Sequence, residues 1–108
     1  MATPSQTLPA GSDPVHVDSR HYTVEHEDDK VRVLRVKYGP GEKSVMHGHP
    51  ALVGVMLSNC HIRFTYPDGK TEDINASAGQ VMSFPAQEHL PQNLGDTVFE
   101  AIIVELKT

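Results

Sequence analysis

The segment SVMHGHPALVG, residues 44–54, sets His47 and His49 one residue apart in an otherwise apolar run. On an extended strand residues i and i+2 point to the same side, so both imidazoles can face one point at a separation a metal ion bridges. Downstream, GQVMSFPAQEHLPQN carries a turn at Gly79, a short strand ending at Pro85, then His89 and, four positions on, Asn93 at the entry to the next strand. In a two-sheet barrel a residue placed there can return to the interior that holds His47 and His49. Three neutral imidazoles on a rigid β scaffold suit a first-row divalent ion. They leave that ion its full double charge, which favours anionic, oxygen-bearing ligands and lowers the pKa of bound water. Three facial protein ligands on an octahedral ion also keep three positions open, enough for a chelating small molecule together with O2 or water.

Around this trio, Gln87 and Glu88 stand next to His89. Either could act as base or hydrogen-bond donor if the loop turned it inward, although neighbours on a strand point away from one another. Tyr38, Met46, Met82 and Phe84 are candidates for the mouth of the site, and core packing accounts for each equally well. One phase of the strand after His49, namely Ala51, Val53, Val55 and Leu57, is expected to form an apolar cavity wall, so the non-chelating end of a substrate should be apolar too. His61 lies on the polar phase of its strand and reads as a surface residue. His16, His21 and His26 belong to a polar stretch and read as solvated. Cys60 should pack in the core as a small apolar residue. Glu100, among the apolar residues of the last strand, would be a buried carboxylate if its phase were inward. No Ser-His-Asp order and no phosphate-cradling glycine loop is present.

The elements that must position these residues are strands. KVRVLRVKY (30–38) alternates apolar and basic residues, with a phase slip at Val33/Leu34 that predicts a bulge or a strand changing faces. A GPG break leads into SVMHGHPALVGVMLSN, apolar on both faces. CHIRFTY (60–66) puts Cys60, Ile62, Phe64 and Tyr66 on the core face. The turn at PDG returns the chain as KTEDI, VMSF follows, and TVFEAIIVEL (97–106) is the last strand. No long segment has a helical period, so the domain is expected to be all-β, a small barrel or jelly roll.

With 108 residues the chain has room for one core. Residues 1–19, rich in Pro, Ser, Thr and Gly, read as a flexible arm, and 20–108 as the domain. Nine basic against fourteen acidic residues and no basic cluster argue against nucleic acid and anionic membranes as partners. The single cysteine excludes an internal disulfide and fits a reducing compartment. No membrane-length apolar run or leader pattern is seen, so the cytoplasm is the expected location.

Two linked motifs give the chain a family resemblance. Gly41, five residues, then His47-Gly48-His49 is similar to the first motif of the cupins; Gly79, five residues, Pro85, then His89, three residues and Asn93 resembles the second. The resemblance spans residues 21–108 and is greatest to small single-domain cupins. It implies a jelly-roll β-barrel (a double-stranded β-helix) with one divalent transition metal in its mouth, held by His47, His49 and His89. Fe(II) is favoured, with Mn, Ni or Zn as alternatives. Asn93 is carried over as a packing or supporting residue. The chain departs from the pattern twice: Val53 and Gly54 stand where cupins usually carry a Glu, and Gln87 replaces a Gly, with His89 one residue early. Three-His cupins include oxygenases of thiols and diketones, so a dioxygenase-like enzyme acting on a small chelating substrate is expected. The alternative is a non-catalytic barrel that holds a metal or ligand for sensing or storage. Exposed sheet edges lead us to expect a homodimer.

Overall fold

The computed structural model describes residues 12–107, so the portion of the expected arm at 1–11 lies outside the described residues. Nine strands form two antiparallel sheets among the described residues: β1 (Tyr22–Glu27), β2 (Val31–Tyr38), β3 (His47–His49), β4 (Leu52–Met56), β5 (Cys60–Thr65), β6 (Thr71–Ala76), β7 (Val81–Phe84), β8 (Gln87–Asn93) and β9 (Phe99–Leu106). One sheet runs β1-β2-β9-β4-β7 and the other β3-β8-β5-β6. This is the all-β double-stranded β-helix expected from the sequence. Tight turns make the sheet crossings and hairpins; Gly69 (φ 88°) and Gly79 (φ 87°) adopt the left-handed backbone that such turns require.

Strand alternation places the core between the sheets. Leu34, Val36 and Tyr38 of β2 are paired with Ile103, Ala101 and Phe99 of β9, and all six are buried. On β5 the residues Cys60 and Ile62 face inward as their alternation predicts. Burial pushes the Cys60 thiol up to about 11, so it packs as an inert apolar group.

The expected slip at 33/34 is real, but the additional residue sits on the partner strand. β2 pairs with β9 without interruption, whereas β1 bulges between Val24 and His26, which face Leu34 and Val33. The run SVMHGHPALVGVMLSN is two strands rather than one, in different sheets, separated at Pro50 and Ala51. Pro50 has no amide hydrogen to continue a ladder, which suits a crossing point. That crossing also sets the phase of β4. Leu52 and Met56 are buried and Gly54 faces inward with them, while Val53 and Val55 lie on the outer phase and Leu57 is exposed. The expected wall of Ala51, Val53, Val55 and Leu57 is therefore corrected by one residue. Both phases are apolar, so periodicity carried no preference between them.

The second half of the expected arm is part of the domain. Asp13 caps a single helical turn, α1 (Pro14–Val17), by accepting a hydrogen bond from the Val15 amide at 3.1 Å. Pro14 is buried, and Arg32 of β2 donates to both Asp13 oxygens at 3.0 and 2.9 Å. One turn has no period to detect, and its anchors are charged groups distant in sequence. β1 and β8 likewise escaped the sequence reading; β8 is polar and contains Pro91, which a paired strand rarely accommodates.

The β4 phase makes a direct prediction. Leu52→Ala should destabilise the fold by about 2–5 kcal/mol, whereas Leu57→Ala should stay within about 0.5 kcal/mol. Urea midpoints of the two variants measure the contrast, and equal losses would contradict the phase described.

Candidate metal centre

The three histidines meet because β3 and β8 pair antiparallel with His47 opposite His89, Gly48 opposite Glu88 and His49 opposite Gln87. Residues directly opposed across a ladder share a face, and i and i+2 share it along each strand. His47, His49, Gln87 and His89 thus project to one side. Glu88 belongs to the other phase and turns away from the imidazoles, which sets aside its expected role as a base. The ring centroids of the three histidines lie 4.9, 5.0 and 5.2 Å apart. One ligand nitrogen from each lies within 4.8 Å of the other two. All three side chains are buried.

Each imidazole has its outer nitrogen occupied. His47 Nδ1–H donates to the Val45 carbonyl at 2.9 Å, with Ser44 Oγ a second acceptor at 3.2 Å. His49 Nδ1–H donates to Glu105 Oε2 at 2.6 Å, and His89 Nδ1–H to Gln87 Oε1 at 2.9 Å. Acceptors at all three Nδ1 atoms select the tautomer that leaves each Nε2 with a free lone pair. His47 Nε2 is buried without any hydrogen-bond partner. An orphaned acceptor of this kind costs about 1–3 kcal/mol in a finished fold. A cation among three converging lone pairs removes that cost, so the residues present fit a divalent ion. Burial, reinforced by neighbouring imidazoles, pushes the pKa of His47 down to about 3 and that of His89 down to about 2. Both rings are consequently neutral and ready to ligate at ordinary pH.

Behind the three histidines lies a set of groups that sequence alone did not mark. Glu105 is 2% exposed, and its Oε1 accepts from Arg32 Nε at 2.8 Å. The sequence reading marked Glu100 instead, but Glu100 sits on the outer phase and pairs with Arg35 at 2.6 Å. The alternation of Phe99, Ala101 and Ile103 was the available signal, since its next member is Glu105. His21 is a second correction. Rather than being solvated, it is 5% exposed and stacked on Tyr38 at 4.1 Å, with Nδ1 facing Asp18 and Nε2 facing Glu42. Two carboxylates and a ring explain its burial. His16, His26 and His61 are exposed.

A cavity of about 70 Å³ adjoins the cluster. Tyr38, Phe84, Gln87, His49 and His89 line it, together with Tyr22 and the apolar side chains of Leu52, Met56, Phe64 and Met82. Val53 does not line it, being on the outer phase of β4. Nor does Asn93, whose Nδ2 donates to the carbonyls of Tyr38, Gly39 and Thr97 while its Oδ1 accepts from the Gly95 amide. Asn93 ties loops together rather than facing the cavity. At Gly54, a position where cupins usually place their Glu, an added Cβ would meet Met56 Cε at 3.3 Å and Ile103 Cγ2 at 3.4 Å. A larger side chain there would press on the Met56 and Ile103 side chains. The hydroxyls of Tyr22 and Tyr38 share a hydrogen bond at 2.7 Å, and burial pushes both phenols well above their ordinary pKa. The hydroxyls are turned to each other, the wall is apolar, and no carboxylate lines it among the described residues.

The depressed histidine pKa values fix the sign of one pH effect. Between about pH 6.5 and 3 the unfolded chain takes up protons that His47 and His89 refuse when folded, so metal-free protein should lose stability as pH falls through that window. Urea midpoints measured with chelator from pH 7 to 4 should fall, and less steeply for His89→Gln; parallel slopes for the two proteins would contradict the burial of a neutral His89.

No protein-family model matches the chain, and no curated protein does. Solved structures do. A cupin domain from Bordetella pertussis Tohama I is 25% identical, with a TM-score of 0.74, covering 81% of this chain and 92% of its own. An RmlC-like cupin family protein with a double-stranded β-helix fold from Methanocaldococcus jannaschii is 17% identical, with a TM-score of 0.61 and coverage of 83% and 84%. A variant of oxalate decarboxylase from Bacillus subtilis is 23% identical with a TM-score of 0.56; the match covers 71% of this chain and only 22% of the decarboxylase.

Proposed function

We propose that this chain, a cupin by fold, holds one divalent transition metal on His47, His49 and His89 and acts on a small, oxygen-bearing chelating molecule in the adjoining cavity. The observation that carries the reading is the buried, partnerless Nε2 of His47, set among two further imidazoles whose Nδ1 atoms are also engaged. Fe(II) is the favoured ion; Mn, Ni or Zn suit the same nitrogen donors. When bound, such an ion supplies Lewis acidity and, as Fe(II), the capacity to use O2 in a dioxygenase-like reaction.

The chain's own residues do the rest. Leu52, Met56, Phe64, Met82 and Phe84 accept an apolar end and keep water out. The rings of Tyr22 and Tyr38 complete this apolar lining. At about 70 Å³ the cavity is smaller than the roughly 150 Å³ that holds a benzene, so the substrate is a molecule of a few heavy atoms rather than a flavonol.

A second reading is favoured by the absence of any carboxylate from the cavity wall among the described residues. With no side chain placed as a general base, the barrel would hold metal or ligand for sensing or storage without turnover. The lone thiol of Cys60 accords with a reducing compartment such as the cytoplasm under both readings.

Self-association belongs to the proposal as well. Val33, Val104 and Val53 lie side by side across the outer face of the five-stranded sheet, with Ile102, Val55 and Val81 in the next row. A second copy covering this apolar face would make the homodimer expected from the sequence. Val55→Arg should then shift the protein from dimer to monomer by light scattering, and a monomeric wild type would remove this part of the proposal.

Elemental analysis of untagged protein, purified without chelator, tests the metal. About one equivalent of transition metal per chain is expected, and none in a folded His47→Ala/His89→Ala variant. Oxygen uptake with small diketones and thiols then separates enzyme from binder. Wild-type protein that takes up no Fe(II), Mn, Ni or Zn on reconstitution would overturn the metal reading.

A further inference from the structure

The short N-terminal turn carries two aspartates, and each is connected to a different histidine of the cluster. Asp18, immediately after α1, accepts the Ser44 hydroxyl at 2.5 Å, and Ser44 Oγ lies 3.2 Å from His47 Nδ1. Because the hydroxyl hydrogen is committed to Asp18, the oxygen can only accept from His47, which reinforces the Nδ1–H tautomer. Asp13, at the other end of the turn, holds the Arg32 guanidinium by both of its oxygens. Arg32 in turn donates to Glu105 Oε1, and the other carboxylate oxygen takes the His49 Nδ1–H at 2.6 Å. His89 lacks such a connection; its Nδ1 partner is the neutral amide of Gln87.

We propose that the segment Asp13–Asp18 is an outer clasp of the metal centre: through Ser44 and through Arg32–Glu105 it orients His47 and His49 and presents their Nε2 atoms for ligation. The proposal rests on the metal reading above. Asp13, Asp18, Ser44, Arg32 and Glu105 are positioning residues and none touches the ligand position. An ordinary packing role explains the anchoring of the turn, yet it does not explain why both anchors end on the outer nitrogen of a cluster histidine. Replacing groups that orient ligating histidines commonly weakens metal affinity roughly 10- to 100-fold. Linkage makes the coupling reciprocal: if the docked clasp strengthens metal binding, bound metal must strengthen docking of the clasp by the same factor.

The test uses full-length protein with Zn(II) and Co(II) as probes. Affinities come from chelator competition, and the Co(II) absorption spectrum reports ligand geometry. Ser44→Ala cuts the link to His47 while leaving the Asp18–His21 contact in place, and Glu105→Gln replaces the carboxylate behind His49 by an amide of the same size. Each is expected to weaken Zn(II) binding about tenfold or more and to shift the Co(II) bands. Asp13→Asn, more remote, should weaken it less. Independently, Zn(II) should slow hydrogen exchange of the amides of residues 16–22 more than those of the β5–β6 hairpin. Unchanged affinity in both Ser44→Ala and Glu105→Gln, or Zn(II) binding that leaves exchange at residues 16–22 unaltered, would overturn the clasp even if melting temperatures fall. Absence of Zn(II) and Co(II) binding by the wild type would instead overturn the metal reading itself, so the two failures are distinguishable.

Discussion

The pairing of β3 with β8, which places His47 directly across from His89, is the constraint on which the site depends. Side-chain direction along a strand has a period of two, so a slip of one residue in that pairing would send His89 to the outside and bring Glu88 in. The rest of the architecture holds this register. β8 is pinned on its other side by β5, with Phe64 opposite Pro91 and Ile62 opposite Asn93. Asn93 then binds the loop that leads into β3 through the carbonyls of Tyr38 and Gly39. A rigid position for each backbone gives each imidazole a defined direction without needing side-chain flexibility.

A cluster of three buried imidazoles is unfavourable by itself. Desolvation opposes protonation of His47 and His89, and the orphaned His47 Nε2 has lost its water without a replacement. The surroundings offset this through Nδ1 rather than Nε2. Carbonyl, carboxylate and amide acceptors satisfy the outward nitrogens and leave the inward ones unsatisfied together at one place. Buried Glu105 is tolerated for a related reason: Arg32 and His49 supply donors to its two oxygens, which would otherwise be buried without partners. A carboxylate therefore still touches the cluster, through the outer nitrogen of His49 rather than from the cavity wall.

Much of the barrel could be read from residue order. His47 and His49 share a face because strands have a period of two, Cys60 and Ile62 face inward on the same ground, and Gly69 and Gly79 stand at turns whose backbone favours glycine. The association of the His-Gly-His segment with His89 was suggested by the resemblance of the two segments to a linked pair of motifs. These are local properties, or properties of a recurring pattern.

The sequence by itself determined the strand periodicity, the turns and the three histidines. Tertiary structure alone decided the inward phase of β4, the strand character of β8, the burial of His21, and the link from Asp13 and Asp18 to the imidazoles. Alternation relates residues within one strand but cannot choose the inner face when both phases are apolar, as at Leu52–Met56. A contact such as His49 with Glu105 joins residues 56 positions apart, and no local propensity records it. Such pairings exist only once sheet order has brought β9 beside β2 and β4, with α1 packed against β1 and β3.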